Sequence, residues 1–119
     1  HFLADYPLQT PYMLGKMNAT VWVKPLAAHA FIHASFTYSI VLWFYIFTGN
    51  TSTYDYLLMP LLLAIADFII HVTVDRIKAS PNLGGRFKPD QPYFWWALGA
   101  DQMAHHLTHY AFIYLMITI

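Results

Sequence analysis

The chain has 119 residues, 58% of them hydrophobic and 10% charged, with a formal net charge of zero. Soluble domains carry about 25% charged residues, so the composition points to one integral membrane domain over residues 1–119. A neutral chain gives no footing for a nucleic-acid partner, and the absence of cysteine excludes disulfides and thiolate metal sites.

The first 17 residues, HFLADYPLQTPYMLGKM, carry Pro7 and Pro11, which break a long helix. Residues 1–9 read as the last turns of a helix, and the start at His1 without Met as a trimmed one. Residues 10–24 read as a connecting segment anchored at the interface by Trp22 and Lys24. Three apolar runs follow, at about 25–48, 55–78 and 93–119, each long enough for the roughly 20 residues that cross a bilayer. Pro25 and Pro92 suit helix starts, and Pro60 predicts a bend in the second run. The expected fold is all-α: a polytopic transmembrane bundle of three full helices plus an N-terminal helix.

Lys16 and Lys24 precede the first run, and Arg76, Lys78, Arg86 and Lys88 lie between the second and third. The turn at 49–54 has no basic residue. The positive-inside rule places the basic side in the cytoplasm, in a bacterial inner membrane. The Asn50-Thr51-Ser52 sequon would then face outward.

Each segment also carries ionisable or polar groups four residues apart: His1, Asp5 and Gln9; His29 and His33; Asp67, His71 and Asp75; Asp101, His105 and His109. Residues at i and i+4 share one helix face, so each apolar cylinder has one polar stripe. At about 1.5 Å per residue the stripes overlap in depth, roughly 5 to 20 Å from the basic helix ends. Helices running up, down and up can aim them at one point. Ionisable groups inside a membrane are costly unless paired or hydrated, and they usually mark function. The plainer reading of any single one is a hydrogen-bonded packing residue, and His106, off the stripe, is read that way.

Imidazole and carboxylate without thiolate suit zinc, manganese or iron. His29, His33, Asp67, His71, Asp75 and His105 are the candidate ligands for one or two divalent ions. Asp5 and Asp101 are the candidate catalytic carboxylates, acting as general base. His1, Gln9, Gln102 and His109 would orient the ligands or contact substrate. Arg76 and Lys78 stand at the mouth, where they would hold a phosphate or lipid headgroup.

The motifs HFLADYPLQT, HAFIH, HVTVDRIK and DQMAHH, in this order, resemble those of the domain-of-unknown-function 3307 family of small bacterial and phage membrane proteins. The likeness covers nearly the whole chain. It implies a multi-helix integral membrane protein in which His1, Asp5, Gln9, His29, His33, His71, Asp75, Lys78, Asp101, Gln102 and His105 fill the family's polar positions. Members begin with an apolar stretch ahead of the first of these histidines, whereas this sequence starts at it.

The expected function is a membrane-embedded, metal-dependent hydrolase acting on a lipid-linked or otherwise amphiphilic phosphate or acyl ester near the cytoplasmic face. HAFIH and HHLTH are also similar to the histidine boxes of di-iron desaturases and hydroxylases, although a third box is missing. Haem or pigment binding by paired histidines is a further alternative, against which the many Asp weigh. A non-enzymatic accessory or ion-pathway protein would use the same stripe without metal.

Overall fold

A computed structural model of the chain describes residues 1–49 and 52–118; Asn50 and Thr51, and with them the sequon at that turn, lie outside the described residues. Four α-helices and two 3-10 turns make up the architecture, with no strand among the described residues. Helix α1 is short, Phe2–Asp5, and a 3-10 turn follows at Met13–Met17. The long helices are α2 (Val23–Thr48), α3 (Thr53–Ala79) and α4 (Pro92–Thr118). A second 3-10 turn, Gly84–Arg86, links α3 to α4. The all-α expectation holds, and the apolar runs match the long helices to within two residues or so at each end.

The fold is inside-out relative to a water-soluble bundle. On α2 the buried face includes Leu26, His29, Ala30, His33, Ala34, Thr37, Val41 and Tyr45, at the three- and four-residue spacing of one helix side. Phe31, Ile40, Trp43 and Phe47 point outward. On α3, Leu63, Ala64, Asp67, His71 and Asp75 are buried, while Leu61, Leu62, Ile65 and Ile69 are exposed. Small residues Ala30, Ala34 and Ala64 lie on the buried faces.

Helix α3 packs against both α2 and α4. Val41 and Tyr45 of α2, Leu63 of α3 and Phe112 of α4 form the apolar core at one end of the bundle. The polar residues gather nearer the other end. The molecule measures 50 × 26 × 22 Å.

Two stretches, Val23–Thr48 and Tyr56–Arg86, are long and apolar enough to cross a membrane. Helix α4 has the same 27 residues as α3 but is not among them. Its middle holds Asp101, Gln102, His105, His106, Thr108 and His109, which lower its mean hydropathy. By composition, then, two of the three expected spans qualify.

Candidate metal centre

The stripes of α1, α2, α3 and α4 meet in one buried cluster. His29, His33, Asp67, His71, Asp75, Asp101 and His105 are each no more than 4% exposed. They come from three helices whose polar faces turn away from the apolar exterior, so burial follows from the same inside-out pattern that forms the helices. His1 stands among them: its ring centroid is 4.8 Å from that of His33, 5.0 Å from that of His105 and 5.7 Å from that of His71.

Asp5 lies under three imidazoles. Its Oδ1 is 3.0 Å from His33 Nε2 and 3.4 Å from His29 Nε2, and its Oδ2 is 3.0 Å from His1 Nε2. Gln102 Nε2 donates to Oδ2 at 3.4 Å. Burial raises the Asp5 carboxyl, but the hydrogen bonds from His29 and His33 outweigh it and hold it well below the usual carboxylate range. Both carboxylate oxygens are therefore occupied by ring nitrogens.

Asp67 serves a second part of the cluster. Its Oδ2 accepts from Thr37 Oγ1 at 2.6 Å, and its Oδ1 lies 3.0 Å from His71 Nδ1 and 3.7 Å from His109 Nε2. His71 Nδ1 also faces the Asp67 backbone carbonyl at 3.1 Å. Both neighbours of Nδ1 are acceptors, so Nδ1 carries a proton, and in the neutral ring Nε2 keeps its lone pair. That Nε2 is buried and has no hydrogen-bond partner. The His71 ring centroid lies 4.0 Å from those of both His33 and His105.

Asp75 and Asp101 form the third part. Asp75 Oδ1 is 3.1 Å from His105 Nε2, and Oδ2 is 3.1 Å from both His29 Nε2 and Lys16 Nζ. Asp101 Oδ2 accepts from Lys78 Nζ at 2.7 Å, and Oδ1 lies 3.3 Å from His105 Nε2.

Lys16 is the residue that sequence reasoning missed as part of the site. It is 3% exposed, although it sits on a connecting segment with no polar stripe of its own. The 3-10 turn at Met13–Met17 carries it inward. Gly15 lets that turn lie on the start of α2, since a Cβ there would come within 2.9 Å of the Pro25 ring. Nothing in the local sequence distinguishes Lys16 from the exposed Lys24.

Two residues named from sequence stand elsewhere. Arg76 donates from Nη1 to the carbonyls of Lys16 and Asn18, both at 3.2 Å, and its guanidinium lies 4.1 Å from the centre of a Trp22 ring. It fastens the connecting segment to α3. The side chain of Gln9 has no recorded polar contact with the cluster. His109, half-exposed, lies at the edge of the cluster, 3.7 Å from Asp67 and with its ring 5.7 Å from that of His1. His106 is exposed, with its ring 5.7 Å from that of His1.

Three sets bring one ligating atom from each member within 4.8 Å of the others: His1, His33 and His71; Asp5, His29 and His33; Asp75, Asp101 and His105. The first has the cleanest chemistry. His33 Nε2 bonds Asp5 and His71 Nδ1 faces Asp67, so two of the three rings are backed by carboxylates, the usual way in which a metal-binding histidine is oriented.

No curated protein and no solved structure matches the chain. A family model described as "Protein of unknown function (DUF3307)" matches residues 1–119, the whole chain, and the protein belongs to that family.

Proposed function

We propose that the protein is an integral membrane metalloprotein whose buried polar core holds a divalent transition ion, zinc, manganese or iron, and hydrolyses an amphiphilic phosphate or acyl ester. The observation that carries the reading is the buried, unpartnered His71 Nε2 beside His1 and His33. A lone pair in that position, with its ring fixed by Asp67, is unsatisfied without a Lewis acid or a donor. Charge supports it. Four carboxylates, Asp5, Asp67, Asp75 and Asp101, face two ammoniums, Lys16 and Lys78. Two negative charges are left over, which a divalent ion would balance, or protonated imidazoles facing the carboxylates, as His105 does.

His1, His33 and His71 would hold a divalent ion, which would supply Lewis acidity for hydrolysis. The chain's own residues orient and accept protons: Asp5 beneath His1 and His33, Asp67 beneath His71. A cavity of about 220 Å³ opens between α2 and α4, lined by Phe36, Ile40, Phe112, Ile113 and Met116, with His1, His33 and His109 at its polar end. An apolar slot ending on imidazoles suits an acyl or similar chain with its polar head at the histidines.

Membrane insertion is part of the proposal, with α2, α3 and α4 all spanning and the basic loops cytoplasmic. The hydroxyls of Ser35, Ser39 and Thr73 lie on the exterior and each bonds the carbonyl four residues back, which satisfies them without water. The polar stripe of α4 faces the cluster, so its lower hydropathy is compatible with a span.

A metal-free proton pathway is the second reading, favoured by the run of close contacts His105–Asp75–His29–Asp5–His33. Elemental analysis of the detergent-purified, folded protein separates the two. At least one transition ion per chain is expected, with ester hydrolysis abolished by chelator and restored by metal. A folded protein that binds none after reconstitution overturns the metal reading.

A further inference from the structure

The three ligand sets differ in what already faces them. Asp75 meets Lys16 Nζ at 3.1 Å, and Asp101 meets Lys78 Nζ at 2.7 Å. Both carboxylates of the Asp75, Asp101 and His105 set therefore carry an ammonium. The set still has unused donor capacity, since Asp101 Oδ1 and His105 Nδ1 are buried without a hydrogen-bond partner. The side chains of His1, His33 and His71 make no recorded ion pair or hydrogen bond with a lysine or arginine. The Asp5, His29 and His33 set shares His33 with that histidine group and cannot be filled independently of it.

We propose that Lys16 and Lys78 are built-in counter-ions that stand in for a second metal, so that the centre takes one divalent ion, at His1, His33 and His71. The inference rests on the metal-binding function proposed above and fixes its stoichiometry and position. An ion placed between Asp75 and Asp101 would meet two like charges at close range, in a setting that screens them poorly. An ammonium has no lone pair to offer the ion, so it can only repel it. Burial makes the arrangement durable: the Lys16 side chain is 4% exposed and that of its partner Asp75 3%, and neither can exchange its partner for water. Lysine thus performs the neutralising half of a metal's role without its chemistry.

The test is zinc binding to the metal-stripped, detergent-solubilised protein, read as ions per chain by equilibrium dialysis and elemental analysis. The unaltered protein is expected to take one ion. Lys16→Met with Lys78→Met is expected to take two, and adding Asp75→Asn is expected to return it to one. Lys16→Arg, which keeps the charge, should stay at one. Lys78→Met alone guards against misfolding, because Lys78 is 25% exposed and its loss leaves the Lys16 pair intact. It should show a second zinc ion at least tenfold weaker than the first. Two ions in the unaltered protein, or one in both the unaltered protein and the folded lysine variants, overturns the inference while leaving metal binding intact. No ion in the unaltered protein but one in the double lysine variant overturns the proposed metal function and sustains the counter-ion role. No ion in either overturns both.

Discussion

Lys16 Nζ and Asp75 Oδ2 lie 3.1 Å apart across 59 positions of sequence, with both side chains almost fully buried. The pair ties the connecting segment to the middle of the polar core. Asp75 also meets His29 and His105, so one carboxylate joins the connecting segment, α2 and α4.

Asp75→Asn should therefore be strongly destabilising. The amide has no charge to balance Lys16 and one acceptor oxygen for three donors. Breaking a buried pair from one side costs about 3–5 kcal/mol. Lys24→Met, at an exposed position, should shift stability by less than about 0.5 kcal/mol. Thermal or denaturant unfolding in detergent reads both, and equal effects would show that the Lys16 pair adds nothing.

His71→Ala should reduce zinc affinity by more than about 100-fold, because losses behind the ligand already cost 10- to 100-fold. His106→Ala, exposed and not a member of the three sets, should change affinity by less than about twofold. A His106 effect as large as that of His71 would place the ion elsewhere.

Arg76→Ala should loosen the segment between Thr10 and Trp22, because the guanidinium holds two of its carbonyls and one of its rings. The expected cost is about 1–3 kcal/mol. Arg76→Lys should rescue little, since the planar fork is lost. Limited proteolysis of this segment checks it. Unchanged stability with a raised KM would instead make Arg76 a substrate contact.

Gly84→Ala should destabilise the α3–α4 connection by about 1–3 kcal/mol. A Cβ there would meet the Lys78 carbonyl oxygen at 2.5 Å, and the shift would disturb the Lys78–Asp101 pair. Gly99→Ala, inside α4 with nothing within 4 Å, should be neutral or stabilising by up to about 1 kcal/mol. Melting temperatures of the two variants should move in opposite directions or differ clearly in size.

Single cysteines at Ser52 and Asp90, both exposed, test the topology. Ser52→Cys should react with an impermeant thiol reagent added outside intact cells, and Asp90→Cys only after lysis. The reverse pattern would invert the orientation.

The sequence by itself determined the helices and the stripes. Long apolar runs bounded by proline and polar turns set where α2, α3 and α4 form. Four-residue spacing fixes which side chains share a face, whatever the helix packs against. That is why Asp5, His29, His33, Asp67, His71, Asp75, Asp101 and His105 were legible as one set. Packing decided the rest. Spacing shows that His1 shares a face with Asp5, but only tertiary structure carries its ring to those of His33, His71 and His105. Lys16 has no periodic signal, and its burial depends on how a 3-10 turn sits on Pro25. Arg76 and Lys78 lie two residues apart on α3 and look alike in sequence. Helical rotation sends one to backbone carbonyls and Trp22 and the other to Asp101. A local pattern specifies the direction of a side chain relative to its own helix axis, and only the docking of helices specifies what waits in that direction.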